Sequence, residues 1–79
     1  MISIDEFVSK LEKEFDDVPP GTLKANTNYK QMEQWTSMHA LIIIAFIDSE
    51  FDIIFKSDDL KNTETISDLY KLIAEKSKN

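Results

Sequence analysis

The side chains most often used as nucleophiles and general bases are scarce here: the chain has one His, no Cys, and nine basic residues that are all Lys. A Ser-His-Asp relay would have to pair Ser37 with His39. Residues two apart on a helix point in different directions, so the two do not meet. Asp48, Glu50 and Asp52 share part of the spacing of a calcium loop but lack its glycine and its terminal bidentate Glu. A solvated helix end accounts for them, and no metal site is expected. What remains is one hydroxyl, Ser37, in the stretch Gln34-Trp35-Thr36-Ser37-Met38, where a loop should turn into a helix. Free backbone N–H groups and the helix dipole favour negative charge at such a place. A phosphodiester carried there would gain about 0.3–1 kcal/mol. Most serines so placed are caps and nothing more, so position alone assigns no role.

The elements must hold that hydroxyl in place, and composition limits what they can be. With 79 residues the chain is expected to form one domain, residues 1–79. A 42% hydrophobic share, with five Phe, one Trp and two Tyr, suffices for one core. One Gly and two Pro exclude Gly-rich phosphate loops and speak against a many-turned β fold. Fifteen acidic residues leave a net charge of −6, which repels nucleic acid and anionic membranes and suits partners with basic faces. Lack of Cys excludes disulfides and fits a reducing compartment. The start, Met1 to Glu6, has neither the positive n-region nor the apolar h-region of a signal peptide. The apolar run Leu41 to Ile47 is far shorter than the ~20 residues of a membrane span. A cytoplasmic monomer is expected.

Ser3 and Glu6 fit a capping box, and Ile4, Phe7, Val8, Leu11 and Phe15 follow at helical spacing, which predicts a helix from Ile4 to Phe15. Its opposite face, Lys10, Glu12, Lys13 and Glu14, is polar. Pro19, Pro20 and Gly21 end it. A long loop from Asp16 to Gln34 should wrap the bundle through Val18, Leu23, Tyr29, Met32 and Trp35, with a short helical turn from Tyr29 to Glu33. Thr36 or Ser37 caps the next helix, Met38 to Glu50. Its expected core stripe is Met38, Leu41, Ile42, Ala45 and Phe46, widened by Ile43, Ile44 and Ile47. Phe51 to Phe55 alternates, as an extended segment would with Ile53 and Phe55 inward. Ser57 to Leu60 reads as a cap and one helical turn. Thr65 caps a last helix, Ile66 to Glu75, with Ile66, Leu69, Tyr70 and Ile73 on one face and Lys71, Lys76 and Lys78 towards its negative end.

From Tyr29 onward the chain resembles the acyl carrier and peptidyl carrier proteins, the phosphopantetheine-binding family. That family shows an aromatic, a Leu-rich turn, an Asp-Ser-Leu attachment motif and an apolar helix ending in Glu-Phe. A short third helix and a Thr opening the last helix follow. Here these stand as Tyr29, Met32, Thr36-Ser37-Met38, Leu41 to Ile47, Glu50-Phe51, Asp58-Asp59-Leu60 and Thr65-Ile66-Ser67-Asp68-Leu69, in order and without a gap. Trp35 resembles the Trp that one branch carries before the motif. The first half matches more loosely.

The resemblance implies an all-α, right-handed four-helix bundle with a short third helix and a long first loop. It implies no active site of the chain's own. Ser37 would carry covalent 4'-phosphopantetheine, taken from coenzyme A by a phosphopantetheinyl transferase. The arm would present acyl or aminoacyl thioesters to loading and condensing enzymes of fatty acid, polyketide or related biosynthesis. Trp35, Thr36 and Met38 would flank the arm. Met38, Ile42, Asp48 and Glu50 would meet partners, and Leu41, Ala45 and Ile66 would line a space for the acyl chain. Two departures stand out: Thr36 replaces the motif's Asp, which removes a carboxylate beside the transferase's metal site, and Met38 replaces Leu at similar volume. His39 would add a pH-dependent charge near the arm. The alternative is an unmodified carrier-fold module that binds partners through helix two.

Overall fold

A capped amphipathic stretch opens the fold. In the computed structural model, which describes residues 2–77, Ser3 Oγ accepts from the Glu6 N–H at 3.2 Å and starts α1, Ile4–Lys13. The helix buries Phe7 and Leu11. It ends two residues before the expected Phe15, because the N–H groups of Glu14 and Phe15 turn back on carbonyls three residues away. Phe15 is still buried, from the loop side.

The loop is pinned at several points. Gly21 has φ +87°, the left-handed backbone that favours glycine, just after Pro19 and Pro20, and the Thr22 N–H closes the turn on the Pro19 carbonyl at 3.2 Å. Glu12, expected to be mere surface, receives the N–H groups of Gly21 and Leu23 at 2.9 Å each. Further on, Ile66 and Ser67 donate to the carbonyls of Thr27 and Ala25 at 3.1 and 2.8 Å, which ties the loop to the last helix. A single 3-10 turn, Tyr29–Gln31, follows. The fully buried Tyr29 hydroxyl hydrogen-bonds Thr63, and burial pushes the phenol up to about 12.

The loop-bound Glu12 sets an acid response. Its backbone hydrogen bonds, first Leu23 and then Gly21, hold its carboxyl below the ordinary value of 4.5. A depressed carboxyl contributes stability above the unfolded value and loses it as pH falls through the folded one. The melting temperature should therefore drop more steeply from about pH 5 to about pH 3 in the wild type than in Glu12→Gln. Parallel curves would show that the tie contributes nothing.

The second helix, α2, spans Ser37–Phe51, and here the expected core stripe is corrected. The buried residues are His39, Ile43, Phe46 and Ile47, whereas Met38 and Leu41 are each 67% exposed and Ala45 is also exposed. A helix apolar on all sides carries no face of its own. The neighbours choose instead: Phe7 stands 6.1 Å from Phe46, 6.0 Å from Phe51 and 5.7 Å from Tyr70, ring to ring. Asp52 then takes a left-handed conformation, φ 55°, and stops the helix. Phe55 turns inward as expected, Ile53 is half-buried, and Ile54 is 74% exposed.

The third helix, α3, spans Ser57–Lys61, capped one residue earlier than expected: the Lys56 N–H donates to Asp59 Oδ2 at 2.9 Å. The fourth, α4, spans Ile66–Lys76 and buries Ile66, Leu69 and Ile73. It opens on a reciprocal capping box between Thr65 and Asp68, each donating its N–H to the other's side chain at 3.1 Å. Lys78 lies outside the described residues. Among those described the result is a small all-helical bundle of four helices with no β-strand, in which no helix is long and apolar enough to cross a membrane.

Candidate functional site at the start of helix two

Thr36 is the N-cap of α2, with extended backbone, and Ser37 is the first helical residue. Both are exposed. Beside them His39 is only 5% exposed. Its Nδ1 accepts the Thr36 N–H at 3.2 Å and lies 2.9 Å from Thr36 Oγ1, so the imidazole takes the place of the Glu or Gln that usually closes a capping box. An Nδ1 that accepts leaves the ring proton on Nε2, which donates to Asp17 Oδ1 at 3.0 Å. That hydrogen bond holds the Asp17 carboxyl below the usual carboxylate range. Phe15 meets the ring edge-on at 5.0 Å, and Trp35 stands 6.0 Å from it. Trp35 also packs edge-on against Tyr29 at 5.3 Å.

His39 therefore engages Thr36 and Asp17, while Ser37 is exposed. Neither partner of the imidazole was foreseen from the sequence. The N3 position of His39 signalled the Thr36 contact. Nothing local signalled Asp17, which arrives through the fold of the loop.

Ser37 opens onto a groove of about 360 Å³ between α2 and α3, lined by Ser37, Ala40, Leu41, Ile44, Ser57 and Leu60, with Lys30 and Lys61 at its sides. The Lys30 ammonium donates to the Leu60 carbonyl at 2.7 Å, which fixes one wall. Of the expected lining residues only Leu41 is there. Ala45 faces a second groove on the other side of α2, with Glu14, Ile42, Phe46, Ser49 and Glu50, and Ile66 is fully buried in the core. Ala40 and Ile44 were legible, since Ser37, Ala40, Leu41 and Ile44 share one helix face by spacing.

Among the expected partner contacts, Met38, Asp48 and Glu50 are exposed and Ile42 is half-buried. Glu50 pairs with Lys10 at 2.6 Å, which offsets the cost of an acidic side chain near the negative end of α2. Asp48, Glu50 and Asp52 do not converge: among the described residues no group of three or more His, Asp or Glu is placed to hold a metal ion.

Compared with protein-family models, with curated proteins and with solved structures, the chain matches none.

Proposed function

We propose that this chain is an acyl-carrier-like protein, with Ser37 as the attachment residue for 4'-phosphopantetheine. The observation that carries the reading is an exposed serine hydroxyl at the first residue of an apolar helix, on the rim of an apolar groove. Two features support it. The first turn of α2 contains no acidic residue, whereas α1, α3 and α4 have Asp5 and Glu6, Asp58 and Asp59, and Asp68 in theirs. The positive end of α2 is thus left for an incoming phosphodiester. The groove is also lined by apolar side chains, Ala40, Ile44 and Leu60 with the exposed Leu41 at its edge, suited to an acyl chain. The bound arm would supply the thiol on which cargo rides as a thioester, and the chain itself has no thiol. The residues of α2 hold the hydroxyl outward, and the acidic surface meets basic partner enzymes. The test is intact mass after incubation with coenzyme A and a broad-specificity phosphopantetheinyl transferase: one added arm is expected, and no addition with several transferases would reject the reading.

A second reading, an unmodified module that binds partners through α2, is favoured by Thr36, whose neutral hydroxyl is taken up by His39. Thr36→Asp separates the two. Asp and Thr are both good N-caps, but an Asp carboxylate cannot donate to His39 Nδ1 as the Thr36 hydroxyl does, so stability should fall by about 1 kcal/mol with the helix start kept. A carboxylate beside Ser37 can hold the transferase's divalent cation, and a contact of ~1.4 kcal/mol would speed loading about tenfold. Initial transfer rates and melting curves of both proteins are the measurement. Equal rates would make Thr36 a neutral variation, and two unloaded proteins would favour the module.

A further inference from the structure

We propose that His39 is a positioning residue for the Ser37 site: its imidazole clasps the long loop to the first turn of α2, and a proton taken up at Nδ1 opens the helix side of that clasp. A Glu or Gln at this position would close only on its own helix. The imidazole has a second polar edge, and it reaches Asp17, 22 residues earlier in the chain. The ring thus joins two stretches, Phe15 and Asp17 after α1 and Trp35 and Thr36 before α2.

The clasp depends on a bare Nδ1. Among the described residues no buried side-chain nitrogen or oxygen lacks a partner, so both ring nitrogens are committed. A proton on Nδ1 turns its acceptor into a donor. The Thr36 N–H then loses its partner, the Thr36 hydroxyl must rotate to accept, and a positive charge stands at the positive end of α2. The ionisable group in contact with the ring is the Asp17 carboxylate. Phe15 and Trp35 carry no charge, and neither the Thr36 nor the Ser37 hydroxyl titrates in this range. Asp17 keeps the loop side of the clasp closed while the helix side opens beside Ser37. The effect on loading rests on the carrier reading above, and the clasp itself does not.

The experiment is amide hydrogen exchange, corrected for intrinsic rates, on the full chain from about pH 8 to about pH 5, with Ser37 loading measured on the same samples. In the wild type, protection of the Thr36 amide should fall roughly tenfold towards the acid end, while the Leu69 and Ile73 amides in α4 stay protected. His39→Gln keeps an acceptor for the Thr36 N–H and should abolish the step. It also releases the loop, as should Asp17→Ala, and the double variant should release the loop no further. Loading of the wild type, divided by that of His39→Gln, should fall over the same range. A Thr36 amide indifferent to pH, a step that survives in His39→Gln, or additive loop losses would overturn the clasp. The exchange pattern without any loading would reject the carrier reading and leave the clasp standing.

Discussion

Ser37→Ala should gain no mass from coenzyme A and a broad-specificity phosphopantetheinyl transferase, the wild type should gain one arm, and the two should melt alike. The internal controls are severe. Ser57 is exposed, stands first in α3 and lines the same groove as Ser37. Its helix has only five residues, and Asp58 and Asp59 fill the first turn, so a phosphate there meets like charge and a short dipole. Ser67 is in the first turn of α4 with Asp68 beside it, and Ser49 is near the negative end of α2. Thr36 is the nearest alternative, but its hydroxyl is engaged by His39. Ser37 alone combines exposure, a long helix and a first turn without acid. Stability should hold because Thr36, not Ser37, is the cap, and an exposed substitution of this kind lies within about 0.5 kcal/mol. A Ser37→Ala protein that still gains the mass would move the site to another hydroxyl. Loss of the melting transition would show instead that Ser37 holds the helix start together.

The sequence made the local features legible. Capping residues and breakers are local signals, which is why Ser3, Thr36, Thr65 and the Pro19-Pro20-Gly21 turn fell where expected, and why four helices were foreseen within about two residues. What failed was whatever depended on a neighbour distant in sequence. Leu41 to Ile47 is apolar all round, so its own pattern could not say which side Phe7 would cover. Glu12 read as surface because its partners, Gly21 and Leu23, reach it only when the loop folds back. His39 read as a charge near the arm, since Asp17 and Phe15 approach it by the same route. The place of Ser37 at a helix start was legible because that placement depends on its own helix, whereas the α3 wall of its groove was not.

The rotation of α2 has a stability consequence that separates two adjacent residues of identical chemistry. Ile43 is fully buried, and Ile44 is half-buried on the groove. Truncating Ile43 removes three carbons from a packed interior and leaves a cavity, so Ile43→Ala should cost ~2–5 kcal/mol. A domain of this size stands near the lower end of a usual range of about 5–15 kcal/mol, so Ile43→Ala should remove a large share of its stability. Ile44→Ala removes the same atoms from a partly wet wall, where little cavity remains and less transfer free energy is at stake, and it should cost about 1 kcal/mol or less. It should act on the groove instead, widening the floor beneath Ser37. Met38→Ser and Leu41→Ser, on the exposed ridge, should fall within about 0.5 kcal/mol. Urea unfolding of the four variants is the measurement, with midpoints compared at constant slope. Equal losses at Ile43 and Ile44, or a large loss at Leu41, would mean that α2 is turned by part of a residue step from the arrangement described. The groove beside Ser37 would then be lined by different side chains.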